Sequence, residues 1–232
     1  VSLLSIVSKC FTFILNRRLY EWAERNELLV REQGGFRRGI STVDHIFVLT
    51  TMIEKYLSRN RGRFYVAFVD FRKAYDSINR TILWHVLRRS NVSGKMLTML
   101  RAMYSSVIAC VRTPDSSLSE VSHCPIALKK CKCSSTTLFS SFITEMAIEI
   151  TRKGLQGVQL AQAAELFLLL FADDVALVST TPGGLQNQIK TLQSESNPVQ
   201  LEVNLAKTSI MVFRKGGPLE STERWTYKGE NV

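Results

Sequence analysis

Three aspartates carry the chemistry this chain can do. Asp173 and Asp174 interrupt the apolar run Leu166-Phe-Leu-Leu-Leu-Phe-Ala-Asp-Asp-Val-Ala-Leu-Val-Ser179. Runs of that kind read as buried strands, and Ala-Asp-Asp in the middle reads as a tight turn. The prediction is a β-hairpin with two carboxylates at its tip. Asp-Asp also makes a good turn for purely local reasons, so the pair needs a third group before it reads as a site. Asp70 supplies it, at the end of a second apolar strand, Phe64-Tyr-Val-Ala-Phe-Val-Asp70. Adjacent carboxylates resist ionising together unless a cation lies between them. Mg²⁺ suits the set, because it takes hard oxygen ligands and prefers a few carboxylates plus substrate phosphates. Three carboxylates from two neighbouring strands suit a two-metal site, in which one ion activates an attacking oxygen and the other steadies the leaving oxygen.

The surrounding residues resemble a known family. Ala67-Phe-Val-Asp-Phe-Arg-Lys-Ala-Tyr-Asp-Ser77 is similar to motif A of reverse transcriptases, and Phe171-Ala-Asp-Asp174 to their motif C, usually Tyr-x-Asp-Asp. The Phe-Ala-Asp-Asp form resembles that of non-LTR (LINE-type) retrotransposons. Gln33-Gly-Gly-Phe-Arg-Arg-Gly-Ile-Ser-Thr42 resembles the fingers motif of that group, and Asn204-Leu-Ala-Lys-Thr208 resembles motif D. The order is that of the family, over nearly the whole chain.

The resemblance implies RNA-directed DNA polymerase activity. Asp70, Asp173 and Asp174 would hold two Mg²⁺ ions, with Mn²⁺ as a substitute. A primer 3′-hydroxyl would attack the α-phosphorus of a dNTP on an RNA template, extending a DNA primer. Lys207 would give a proton to the leaving pyrophosphate. Arg37 would face the triphosphate, Phe71 and Lys130 would line the nucleotide site, and Tyr75 would pack under the sugar as a steric gate. An intracellular location, cytoplasm or nucleus, is implied with it.

The match breaks in two places. Motif B, close to Gly-x-x-Gln-Gly-Cys-x-x-Ser-Pro-x-Leu-Phe in the family, reads Ala127-Leu-Lys-Lys-Cys-Lys-Cys-Ser-Ser-Thr-Thr-Leu-Phe139 here. Lys130 replaces the neutral Gln, Cys131 the Gly and Thr136 the Pro. In the fingers motif, Ile40 replaces the second arginine. Two functional readings follow: a polymerase, or a palm-like remnant that binds nucleic acid without polymerising. A phospho-receiver domain also combines an acidic pair, a lone Asp and a Lys, but there the pair comes first and the chain is shorter.

Composition bounds the rest. With 232 residues and 45% hydrophobic content, the chain can bury a sizeable core. A net charge of +10 favours polyanions. No apolar run has the length to cross a bilayer, so no membrane partner is expected. Five cysteines at irregular spacing suit free thiols, and His123, Cys124, Cys131 and Cys133 lack paired zinc knuckles. The start, without Met or a charged leader, reads as the cut edge of a longer protein.

The elements that must position the aspartates follow from periodicity. Apolar positions at helical spacing predict a core-packed helix over 3–25 (Leu4, Val7, Phe11, Ile14, Leu15, Leu19, Trp22) and a second after a Ser41-Thr42 cap (Val43, Ile46, Phe47, Thr50, Ile53, Leu57). Between them lies a basic glycine loop. Further helices are predicted at 82–89, where Asp76 is read as the cap, and at 95–104, 136–150 and 183–194. Strands are predicted at 64–69, 107–112, 166–179 (paired) and 209–213. This order predicts an α+β fold, a polymerase palm built as a split β-α-β, ferredoxin-like antiparallel sheet. The expected division is partial fingers over 1–62, palm over 63–215, and a tail over 216–232 leading to an absent thumb.

Overall fold

The computed structural model describes residues 5–58, 62–105, 107–112, 117–120, 122–123, 128, 133–161 and 164–232. In chain order the elements are α1 (Ile6–Arg25), α2 (Thr42–Leu57), β1 (Arg63–Val69), α3 (Ala74–Ser77), α4 (Arg80–Arg89), α5 (Gly94–Ser105), β2 (Ile108–Ala109), β3 (Ser122–His123) and α6 (Cys133–Arg152). After these come β4 (Val158–Ala161), β5 (Ala164–Leu166), β6 (Leu168–Phe171), β7 (Asp174–Ser179), α7 (Pro182–Ser196), β8 (Ser209–Arg214), β9 (Thr226–Tyr227) and β10 (Glu230–Asn231).

Four strands form the central sheet in the order β6-β7-β1-β8, each neighbour antiparallel. Helix α6 lies between the first strand in sequence and the hairpin, and α7 between the hairpin and the last strand. Two β-α-β units are thus interleaved, which is the split arrangement expected from the pattern. The small pairs β2-β3, β4-β5 and β9-β10 stand outside this sheet.

Alternation along β1 sends Tyr65, Ala67 and Val69 into the larger core, while Phe64 and Val66 enter a smaller cluster with Met52 and Tyr56 of α2 and Val178. A strand covered on both faces reads as a continuous apolar run, as this one does. Behind the sheet, α6 buries Leu138, Phe139, Phe142, Ile143, Met146 and Ile150, all six of its predicted apolar positions. Helix α7 does the same with Leu185, Ile189 and Leu192. Thr181 caps it, accepting from the Gly184 N–H, with Pro182 at the first helical position.

Several expectations are corrected. Helix α1 buries Thr12, Leu15, Leu19 and Ala23, but Val7, Phe11 and Ile14 lie on a different face and are exposed. On α2 the buried residues are Met52 and Tyr56, while Val43, Ile46 and Phe47 are 67%, 61% and 70% exposed. The cap of α4 is Asn79, whose Oδ1 accepts from the N–H groups of Thr81 and Ile82; Asp76 lies exposed inside the preceding turn. Residues 220–232 do not trail away. Glu223 is buried and accepts from Arg63 and from the Tyr65 hydroxyl (2.9 Å), and Trp225 and Tyr227 pack into the larger core. The Trp225 indole N–H donates to the Pro182 carbonyl at 3.0 Å.

Candidate active site

Register places the first and third carboxylates. β1 pairs with β7 from Tyr65↔Ser179 through Val69↔Val175, so the next step of the same ladder brings Asp70 opposite Asp174. The hairpin closes at Phe171↔Asp174, leaving Ala172 and Asp173 as a two-residue turn. Ala172 sits at φ 59°, the left-handed region that costs a non-glycine residue about 1–3 kcal/mol.

Asp70 is held by the segment that follows α7. The Asn204 side-chain amide donates to Asp70 Oδ2 at 3.0 Å, and the Asn204 backbone N–H donates to the Asp70 carbonyl at 2.8 Å. The Asp70 N–H in turn donates to Thr208 Oγ1 at 3.4 Å. A turn closed by the Lys207 and Thr208 N–H groups on the Asn204 carbonyl fixes this segment and presents Lys207, exposed, beside the carboxylates.

Two depressions flank the carboxylate strip. An apolar cavity of ≈ 500 Å³ is lined by His45, Ile46, Phe68, Phe171 and Ala176, together with Asp70, Asp174 and Lys207. A more polar cleft of ≈ 720 Å³ is lined by Phe71, Arg72, Lys73 and Asp76, together with Asp70, Asp173 and Lys207. Asp70 and Lys207 line both, and the hairpin sends Asp173 and Asp174 to opposite sides.

Electrostatics express the crowding. Burial first, then the Asp173 and Asp70 carboxylates, raise the Asp174 carboxyl above its ordinary value. Burial, and after it the Asp173 charge, push the Tyr75 hydroxyl far up. Tyr75 is buried and stacks on Phe139, ring centroids 4.3 Å apart. Phe71 is also buried and bridges to Val203. Among the described residues no three His, Cys, Asp or Glu side chains close into a ready-made metal cage. The donor set, three carboxylates among which the Asp173 and Asp70 charges oppose ionisation of Asp174, nonetheless fits a hard divalent cation that takes its remaining oxygens from substrate and water.

Arg37 lies elsewhere. Its Nε and Nη2 donate to the two Glu24 oxygens at 3.0 and 2.8 Å, and Nη1 donates to the Val30 carbonyl at 3.1 Å. A guanidinium engaged on both edges is occupied in holding the loop to α1, and it lines neither depression. Arg38 lies over the Tyr20 ring, 5.4 Å from its centroid. Lys130 falls outside the described residues. Sequence reading missed Asn204 as the tether of Asp70, although it stands at the head of the motif D match, and missed Asp76 on the polar cleft. It also missed Gln33, whose partner is 139 residues away.

The fold is that of a polymerase palm, and comparison with known proteins agrees. The profile of the family described as reverse transcriptase (RNA-dependent DNA polymerase) matches residues 1–231. The chain belongs to that family. Among solved structures it is similar to telomerase from Candida albicans in complex with a TWJ fragment of telomeric RNA, with a TM-score of 0.62 and 13% identity over 94% of this chain and 36% of that one. It is also similar to apo telomerase from Candida tropicalis truncated from its C-terminal domain, with a TM-score of 0.58 and 14% identity over 94% of this chain and 42% of that one. At such identities the likeness is one of fold, and this chain spans less than half the length of those proteins.

Proposed function

We propose that this chain is the polymerase core of a non-LTR, LINE-type element, extending a DNA primer on an RNA template with dNTPs. The observation that supports this most is the collection of Asp70, Asp173 and Asp174 around one strip, with Lys207 beside them. Bound Mg²⁺, or Mn²⁺ in its place, would supply charge neutralisation at the reacting phosphate and activation of the attacking hydroxyl. The protein's own contributions are separable. Asn204 holds Asp70 in one orientation, and Lys207 is available to protonate the departing pyrophosphate. Buried Phe71 lines the polar cleft; Tyr75, which lines neither depression and stacks on Phe139, would meet the sugar and select against a 2′-hydroxyl as its motif implies. The net charge of +10 draws the template-primer duplex in. Fingers over 1–62 and palm over 63–215 follow the motif positions, and the cytoplasm or nucleus is the setting such a template requires.

A second reading is favoured by two particular features: a polymerase fold that binds nucleic acid but has lost turnover. Arg37 is engaged by Glu24 instead of facing the cleft, and motif B carries Lys130 and Cys131 in place of its amide and glycine. Primer extension on an RNA template with Mg²⁺ or Mn²⁺ separates the two. Extension that disappears in Asp173→Asn supports the polymerase. Salt-sensitive duplex binding, unchanged in Asp70→Asn and without extension, supports the remnant.

A further inference from the structure

We propose that Gln33 is a positioning residue for the Asp173–Asp174 pair, acting through the turn that carries them. The inference rests on the reading of those carboxylates as the working groups. Gln33 is fully buried, and its side-chain amide grips one residue of the hairpin from both sides. Nε2 donates to the Ala172 carbonyl at 3.2 Å, and Oε1 accepts from the Ala172 N–H at 3.0 Å. Oε1 accepts a second time, from the Gly35 N–H at 2.8 Å. A primary amide carries both a donor and an acceptor in one plane, so it can satisfy both backbone groups of a single residue.

The residue it grips matters. Ala172 precedes Asp173 and holds the left-handed backbone of the turn without glycine's freedom. Such a conformation persists only where the surroundings over-determine it, and here Gln33 supplies bonds to both backbone polar groups of Ala172. Main-chain bonds extend the grip. The Leu170 N–H donates to the Glu32 carbonyl at 2.9 Å, and the Gly34 N–H to the Leu170 carbonyl at 2.8 Å. Gln33 thereby lies as a parallel bridge on β6, the edge strand. Gly35 is required by the same approach, since a Cβ there would stand 2.1 Å from the Ala172 nitrogen. At the far end, Arg37 ties the loop to Glu24 of α1. A continuous mechanical path thus runs from α1 through the loop to the carboxylates, with Arg37 as its strut.

Two readouts test the idea on the full chain: hydrogen exchange across 167–178, and Mn²⁺ affinity by electron paramagnetic resonance with Asp174→Asn as reference. Gln33→Ala should accelerate exchange of the Ala172 and Asp173 amides while exchange across 219–232 stays as in the parent. Its Mn²⁺ affinity should fall by about tenfold, the size of effect seen when a group supporting a metal ligand is removed. Gln33→Glu keeps the size and the acceptor but loses the donor, so it tests the grip if the alanine variant fails to fold. Parent-like exchange in the hairpin of either folded variant overturns the proposal. So does Mn²⁺ affinity within twofold of the parent. A parent chain that binds no Mn²⁺ counts against the carboxylate reading, and hairpin exchange then still decides whether Gln33 sets the turn.

Discussion

The two faces of the central sheet are built from the same residue types and behave differently. Behind it, α6 and α7 bury every apolar position predicted for their inner faces, and Leu138, Phe139, Phe142 and Ile143 have no exposed surface. In front, α2 fully buries only Met52 and Tyr56, packs Val48, Leu49 and Ile53 partly against the same cluster, and turns Val43, Ile46 and Phe47 to solvent. Between α2 and the sheet lies the apolar cavity that reaches Asp70 and Asp174. One face is closed along its length; the other is left open beside the carboxylates.

Truncating the back should therefore cost far more than truncating the front. Phe142→Ala is expected to destabilise by about 3–5 kcal/mol, the transfer and cavity cost of a fully buried phenyl. Phe47→Ala should stay within about 0.5 kcal/mol. Denaturant titration of both measures the contrast, and equal losses would mean that the front is closed by contacts as firm as those behind.

The C-terminal strap provides the next step down. Burial alone would raise the Glu223 carboxyl, but the Glu220 N–H, Arg63 and Tyr65 bonds outweigh it and hold it below its ordinary value. A depressed folded value means stability that is present at neutral pH and lost as pH falls through that value. Glu223→Gln is expected to cost about 1–3 kcal/mol at pH 7, because it weakens acceptors for buried donors. The cost should shrink as pH falls through that lowered value, where the parent carboxyl is itself protonated. A melting series from pH 7 to pH 3 on parent and variant checks both.

How far these regions were legible in the sequence follows from what periodicity reports. It identifies residues that share a face, as for Leu138 to Ile150 on α6, and is silent on whether a partner exists. The apolar faces of α1 and α2 have the same spacing, yet Val7, Ile14 and Phe47 stay exposed among the described residues. Asp70, Asp173 and Asp174 were readable because strand patterns and turn chemistry are local. Gln33, Asn204 and Glu223 were not, since each works through a residue more than a hundred positions away. The Arg37–Glu24 bond was hidden for the same reason: Glu24 carries no mark in the sequence of the partner it will take.

The Glu24–Arg37 link is the smaller test, because both side chains keep some solvent contact. A double-mutant cycle with Glu24→Gln and Arg37→Gln should give a coupling of about 0.5–1 kcal/mol. Coupling near zero would free Arg37 for the phosphate role that the motif implies. The Arg37 hydrogen bond holds the Glu24 carboxyl below its usual range, so the coupling should fade as pH drops through that lowered value.

The smallest effect has the opposite sign and bears most directly on function. Asp174 has a raised carboxyl value because burial and two like charges oppose its ionisation. For a raised group, stability is fully present below the unfolded value and is lost as pH rises through the folded one. At pH 7 the ionised Asp174 therefore weakens the fold. Asp174→Asn removes that penalty and should melt slightly higher than the parent at pH 7, with the difference closing near pH 3. Saturating Mn²⁺ should raise the melting point of the parent and leave the variant nearly unmoved, since a ligand that binds only the native site stabilises it by mass action. A variant that melts lower than the parent at pH 7 would mean that Asp174 is a structural turn residue, and the open face would lose its strongest mark of chemistry.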